Sequence, residues 1–120
     1  MSPANPTPAT VEVVRNAFIS GAEQMRRNLY RSAYSPVIYE MKDCSVGIYD
    51  TDGRLLGQAP GLPFFLGSLG GTLRAVIERK GLDVFGEGDI WLVNDSTICG
   101  SHLNDVTVFA PVFIEGVLRG

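Results

Sequence analysis

The sequence predicts an α+β fold with a long N-terminal amphipathic helix, β-hairpins and a second helix, forming part of a larger domain. Three observations carry this. Apolar residues recur at three- and four-residue steps from Val11 to Leu29, turn dipeptides stand between strand-like runs, and a shorter helical stripe lies between those runs. At 120 residues and 45% hydrophobic, with mean hydropathy +0.13, the chain has the size of one small and rather apolar domain. A free-standing domain of this length is expected to bury about two thirds of its unfolded surface. The high apolar content implies that some hydrophobic surface is meant for a partner, a larger domain or an oligomer.

Residues 1–7 read as a flexible lead-in, and residues 8–120 as the N-terminal portion of the domain. Thr7-Pro8 resembles a helix start, with the Thr hydroxyl as cap and proline at the first helical position. Val11, Val14, Phe18, Ala22, Met25 and Leu29 then form the stripe of one long helix, which ends by Ser35-Pro36 because the residue before proline resists the helical region. Next, "SVGIYDTDGRLLGQ" alternates around Asp52-Gly53, a hairpin signal. The stretch "APGLPFFLGSLGG" reads as an apolar Gly/Pro-rich loop, with Phe64-Phe65 as core or interface packing. A second helix is expected over about 69–80, with Leu69, Leu73, Val76 and Ile77 on one face and Gly81 as its C-terminal cap. "IWLVND" reads as a short strand, and "VTVFAPVFIEGVLRG" as a hairpin turning at Glu115-Gly116, with Pro111 marking an edge or a bulge. The chain stops three or four residues into that return strand, so a truncated domain is expected.

A net charge of -3 and a pI near 5.0 argue against non-specific nucleic-acid binding. The basic run Arg26, Arg27 and Arg31 reads as a solvated helix face or a partner contact. Cys44 and Cys99 have no zinc-type spacing. The N-terminus lacks the charged and apolar regions of a signal peptide, and no apolar run approaches the roughly 20 residues that span a bilayer. A cytoplasmic protein with two free thiols is expected.

Ligand-type residues gather at three places: Asp43 in "MKDCS", Asn94 and Asp95 in "VNDSTICGSH", and His102 and Asp105 in "HLND". His102 is the only histidine. An i, i+3 His/Asp pair on a tight turn can aim a nitrogen and an oxygen at one point, the mixed donor set that suits zinc, iron or manganese. The same spacing also suits a histidine that is merely hydrogen-bonded. Two ligands do not complete a site, and Asp43 at a strand start is the best available third. Asp95-Ser96 could equally cap a turn. Gly67, Gly70 and Gly71 lack both phosphate-loop patterns, and neither a Cys/His pair nor a Ser-His-Asp triad has a supporting motif.

The run from "VEVVRNAFISGAEQMRRNLYRSAYSPVIYEMKDCSVGIYDTDGRLLGQAPGLPFFLGSLGGTLRAV" into "GDIWLVNDSTICGSHLNDVTVFAPVF" resembles the N-terminal part of the hydantoinase B / 5-oxoprolinase family. That family includes B subunits of ATP-dependent hydantoinases, oxoprolinases, caprolactamase, and acetone and acetophenone carboxylases. The resemblance implies metal ligands at Asp43, in a D-x-S motif, and at His102 and Asp105, in H-x-x-D. Asn94 and Asp95 would orient them, and a further histidine ligand would lie beyond Gly120. It implies a divalent transition metal (zinc, manganese or iron) and a hetero-oligomer with an A-type subunit. That subunit would use ATP to phosphorylate a cyclic amide or ketone, which the B-type subunit would then open with water or carboxylate. The competing reading is a non-catalytic structural or assembly module. Ser96-Thr97 stand where the family has Pro-Tyr, Cys99 where it has glycine, and Gly61 and Phe65 where many members have histidine. These departures leave H-x-x-D intact and alter the pocket around it.

Overall fold

In the computed structural model, helix α1 runs from Pro8 to Ser32. Thr7 caps it, its hydroxyl oxygen accepting the Thr10 amide at 3.2 Å, while Pro8 fixes φ where no amide is needed. The helix ends at Ala33, before Pro36, in keeping with the expected stop. Proline then starts a single helical turn, α2 (Pro36–Tyr39), which the sequence reading did not foresee. The structure describes residues 5–59, 63–99 and 102–120, without the side chains of 63–66. The expected packing of Phe64-Phe65 and the replaced positions Gly61 and Phe65 lie outside these residues, as does most of the lead-in.

Strands β1 (Gly47–Tyr49) and β2 (Leu55–Gln58) form the expected antiparallel hairpin. Its turn is closed by Asp50, whose carboxylate accepts the amides of Asp52 and Arg54, and by Gly53 at φ +71°. A left-handed residue is needed there, which is why the glycine matters. The hairpin lies across α1 through small residues: Ala22 is fully buried, Gly21 faces Ile48, and Gly57 touches the Phe18 backbone. The stripe on α1 is therefore only partly used, since Val11, Val14 and Met25 stay about half exposed.

Helix α3 spans Pro63–Lys80, six residues longer at its start than the pattern predicts. The stretch read as a Gly/Pro loop is largely helical, with Pro63 at the opening and Gly67, Gly70 and Gly71 inside the helix. Gly70 has a packing reason. A Cβ there would stand 3.3 Å from both the Gly53 carbonyl oxygen and the Tyr49 ring, so its absence lets α3 approach the hairpin. Arg74 secures the approach by donating to the Gly53 carbonyl at 3.0 Å. Gly81 ends the helix at φ +79°, with its amide on the Ile77 carbonyl, as expected.

Strand β3 (Trp91–Val93) pairs with β4 (Thr107–Phe109), and β5 (Phe113–Ile114) with β6 (Val117–Leu118), all antiparallel. The segment read as one hairpin is thus divided. Its first run joins β3, and only residues after Pro111 form the terminal hairpin, which turns at Glu115 (φ +53°) and Gly116 (φ +74°). Phe85, Trp91 and Phe109 form an aromatic cluster on one face of β3–β4. Leu92 and Val108, paired across the opposite face, are exposed.

The accessible surface is 8408 Å², against roughly 6,300 Å² for a free-standing folded monomer of this mass. Only about 55% of the unfolded surface is buried rather than two thirds, and exposed apolar side chains on α1, α2, β2 and the β3–β6 strands contribute to the remainder. No helix among the described residues is long and apolar enough to cross a membrane.

Candidate metal centre

The connection from β3 to β4 carries four of the five expected site residues. Directly after β3, Asn94 reaches over the loop and donates through Nδ2 to the carbonyls of Asp105 at 2.6 Å and Leu103 at 3.3 Å. Its side chain therefore fixes the far end of the loop to the near end. Asp95 builds a turn: one carboxylate oxygen accepts the Thr97 amide at 2.9 Å and the Thr97 hydroxyl at 2.6 Å, while its carbonyl accepts the amides of Ile98 and Cys99. The other oxygen lies 3.5 Å from Arg79 at the end of α3. The Thr97 hydrogen bonds, with Arg79 adding a smaller pull, hold the Asp95 carboxyl below its ordinary range. The turn-capping role weighed for Asp95 is what the geometry displays.

His102 and Asp105 form a second turn. The His102 amide donates to Asp105 Oδ2 at 3.0 Å, and the Asp105 amide donates back to the His102 carbonyl at 3.1 Å. His102 Nδ1 stands 3.7 Å from the same carboxylate oxygen, with the imidazole largely exposed and the carboxylate mostly covered. Two donors sharing one ion at about 2.0–2.2 Å stand roughly 3.0–3.5 Å apart. A small rotation of the exposed ring closes the difference. The pair thus fits the donor chemistry of zinc, iron or manganese, but supplies only two of the donors such an ion needs.

Asp43 lies elsewhere, on the turn between α2 and β1 after Lys42 (φ +57°), with its amide on the Val37 carbonyl. Among the described residues no group of three or more His, Cys, Asp or Glu side chains is placed to hold a metal ion. The structure brings His102 and Asp105 together and does not gather Asp43 with them into such a group. Next to Asp43, Cys44 is half-buried. Burial pushes its thiol up, which is the reverse of an activated nucleophile. Both cysteines are free thiols.

Sequence reasoning missed what supports the loop from beneath. Cys99, 2% exposed, places its sulfur 3.0 Å from the Thr107 hydroxyl on β4 and 3.4 Å from the Val93 carbonyl on β3. Thr72 on α3, fully buried, reaches the Ile98 carbonyl at 2.8 Å. No local spacing signals contacts between residues so far apart in the chain.

Residues 7–120 match the family described as Hydantoinase B/oxoprolinase. The chain belongs to this family. Over 108 residues it is 37% identical to 5-oxoprolinase 1 of Arabidopsis thaliana, a match covering 90% of the chain and 8% of that protein. It is 34% identical over 113 residues to an uncharacterised protein of Methanocaldococcus jannaschii, covering 92% of the chain and 20% of the relative. With the caprolactamase subunit beta of Pseudomonas jessenii it shares 32% identity over 111 residues, covering 92% and 19%. This hydantoinase B-type chain therefore spans a small part of the length of the relatives it matches.

Proposed function

We propose that the chain forms part of the metal-bearing subunit of an ATP-dependent cyclic-amide hydrolase of the hydantoinase/oxoprolinase type. The substrate would be phosphorylated by an A-type partner subunit before reaching it. One observation carries the reading: in a member of this family, the His102–Asp105 turn presents an imidazole and a carboxylate within 3.7 Å of each other. His102 and Asp105 would hold a divalent zinc, manganese or iron ion. Asp43 is the third expected ligand, which requires that its turn and the β3–β4 loop meet in the loaded protein. Remaining donors would come from polypeptide outside these residues. Bound there, the ion would act as a Lewis acid or lower the pKa of a water molecule.

The chain's own residues prepare that centre. Asn94 holds the Leu103 and Asp105 carbonyls, so the two donors keep a fixed spacing. Asp95 stiffens the preceding turn. The complex would work in the cytoplasm, where the partner subunit finds ATP, and as a hetero-oligomer. The surface left uncovered by these residues supports such an assembly.

The lack of a three-ligand cluster among the described residues favours a second reading, in which the segment serves only as an assembly module. An assay of the intact protein with its A-type subunit, ATP and a panel of hydantoins, lactams and ketones separates the possibilities. The expected result is ATP-dependent opening of a cyclic amide that His102→Ala abolishes. Incorporation of bicarbonate into a ketone would assign a carboxylase instead, and ring opening undiminished by His102→Ala would leave the module reading.

A further inference from the structure

The geometry points to Thr72 as a positioning residue for the His102–Asp105 turn, acting from helix α3 through the backbone of Ile98. This rests on the reading of that turn as a metal-binding element. A helical threonine commonly returns its hydroxyl to the carbonyl four residues earlier, and Thr72 does so with Ser68 at 2.9 Å. What that habit does not explain is that the single hydroxyl proton is shared with a second acceptor, the Ile98 carbonyl at 2.8 Å and 26 positions away. Thr72 is 0% exposed, so the hydroxyl has no water to exchange for that carbonyl.

Ile98 is well placed to transmit the restraint. Its amide, like that of Cys99, ends on the Asp95 carbonyl, so residues 95–99 form one hydrogen-bonded turn. Cys99 then fastens the turn to both strands, through the Val93 carbonyl on β3 and the Thr107 hydroxyl on β4. Its sulfur also lies 4.0 Å from the Asp105 carbonyl, the oxygen that accepts Asn94 Nδ2 at 2.6 Å. The turn bearing His102 and Asp105 is thereby tied to a turn gripped on one side by α3 and on the other by the sheet. Thr72 supplies the α3 side, and neither its position nor its hydroxyl touches the donors.

Amide hydrogen exchange on the intact protein tests this with Thr72→Val, which keeps the shape and deletes the hydroxyl, and Thr72→Ser, which keeps the hydroxyl. With Thr72→Val, exchange at Cys99 and Asp105 should quicken by about five- to tenfold, the usual worth of one buried hydrogen bond. The Gly53 amide, bonded to Asp50 in the hairpin turn, serves as the internal control and should not change. Thr72→Ser should restore slow exchange, and zinc retained during dialysis should fall with Thr72→Val and recover with Thr72→Ser. Unchanged exchange at Cys99 and Asp105 in Thr72→Val, or equal loosening in both variants, would overturn the assignment. If His102→Ala still retained metal, only the ligand reading would fail, because the exchange result stands apart from it.

Discussion

Replacing Gly57 with alanine would put a methyl group where α1 already stands. The added Cβ would lie 2.7 Å from the carbonyl carbon and the Cβ of Phe18 and 2.9 Å from the Phe18 carbonyl oxygen. Ordinary van der Waals contact begins at 3.4 Å, so the hairpin and helix must part by roughly 0.7 Å. Two of the three opposing atoms belong to the backbone in the middle of a 25-residue helix and cannot rotate away. Overpacking of this kind costs about 1–3 kcal/mol. For a chain of this size each kcal/mol shifts the midpoint by about 3–6 °C. Thermal unfolding followed by far-UV circular dichroism should therefore show Gly57→Ala melting at least about 3 °C below the parent. Gly71→Ala is the control of opposite sign. It sits inside α3, its Cβ would meet nothing within 4 Å among the described residues beyond the helix's own backbone, and alanine is preferred over glycine there by about 0.5–1 kcal/mol. It should melt slightly higher. A Gly57→Ala protein as stable as its parent would refute the packing of β2 on α1 at Phe18, and with it the placement of the hairpin.

Asn94→Ala should loosen the β3–β4 loop by about 1 kcal/mol, since it removes two neutral hydrogen bonds at an exposed position. Several-fold faster amide exchange at Asp105 would report it, and unaltered exchange would count against the latch. Asp95→Asn should change the acid limb of stability. The fold depresses the Asp95 pKa, so its carboxylate stabilises the protein above the unfolded value of about 3.9, and that contribution fades as pH falls through the lower folded value. Urea midpoints of parent and Asp95→Asn should differ at neutral pH and converge in acid; a constant difference down to pH 2 would contradict the assignment.

Most of the framework was legible because it is written in local spacing. The Thr7-Pro8 start, the 3.6-residue stripe, Asp52-Gly53, Gly81 and Glu115-Gly116 each state a backbone conformation within a few residues. The early start of α3 was hidden because Gly67, Gly70 and Gly71 look like helix breakers. Gly70 is there for close approach to Tyr49 and Gly53, which only the folded chain reveals. Reading "VTVFAPVFIEGVLRG" as one hairpin failed for a related reason: β4 pairs back to β3 across the loop, a choice the shared strand-like composition does not encode. In the candidate site, the His102–Asp105 turn was visible as an i, i+3 pair. Thr72, Cys99 and Thr107 were not, since a buried hydroxyl or thiol that holds a distant carbonyl leaves no periodic mark.

The proposed metal centre depends on His102. Elemental analysis of the intact protein, purified without chelator, should find a single zinc, manganese or iron ion per copy, lost in His102→Ala while the circular dichroism spectrum is unchanged. Stoichiometric metal retained by folded His102→Ala would show that His102 is not a ligand.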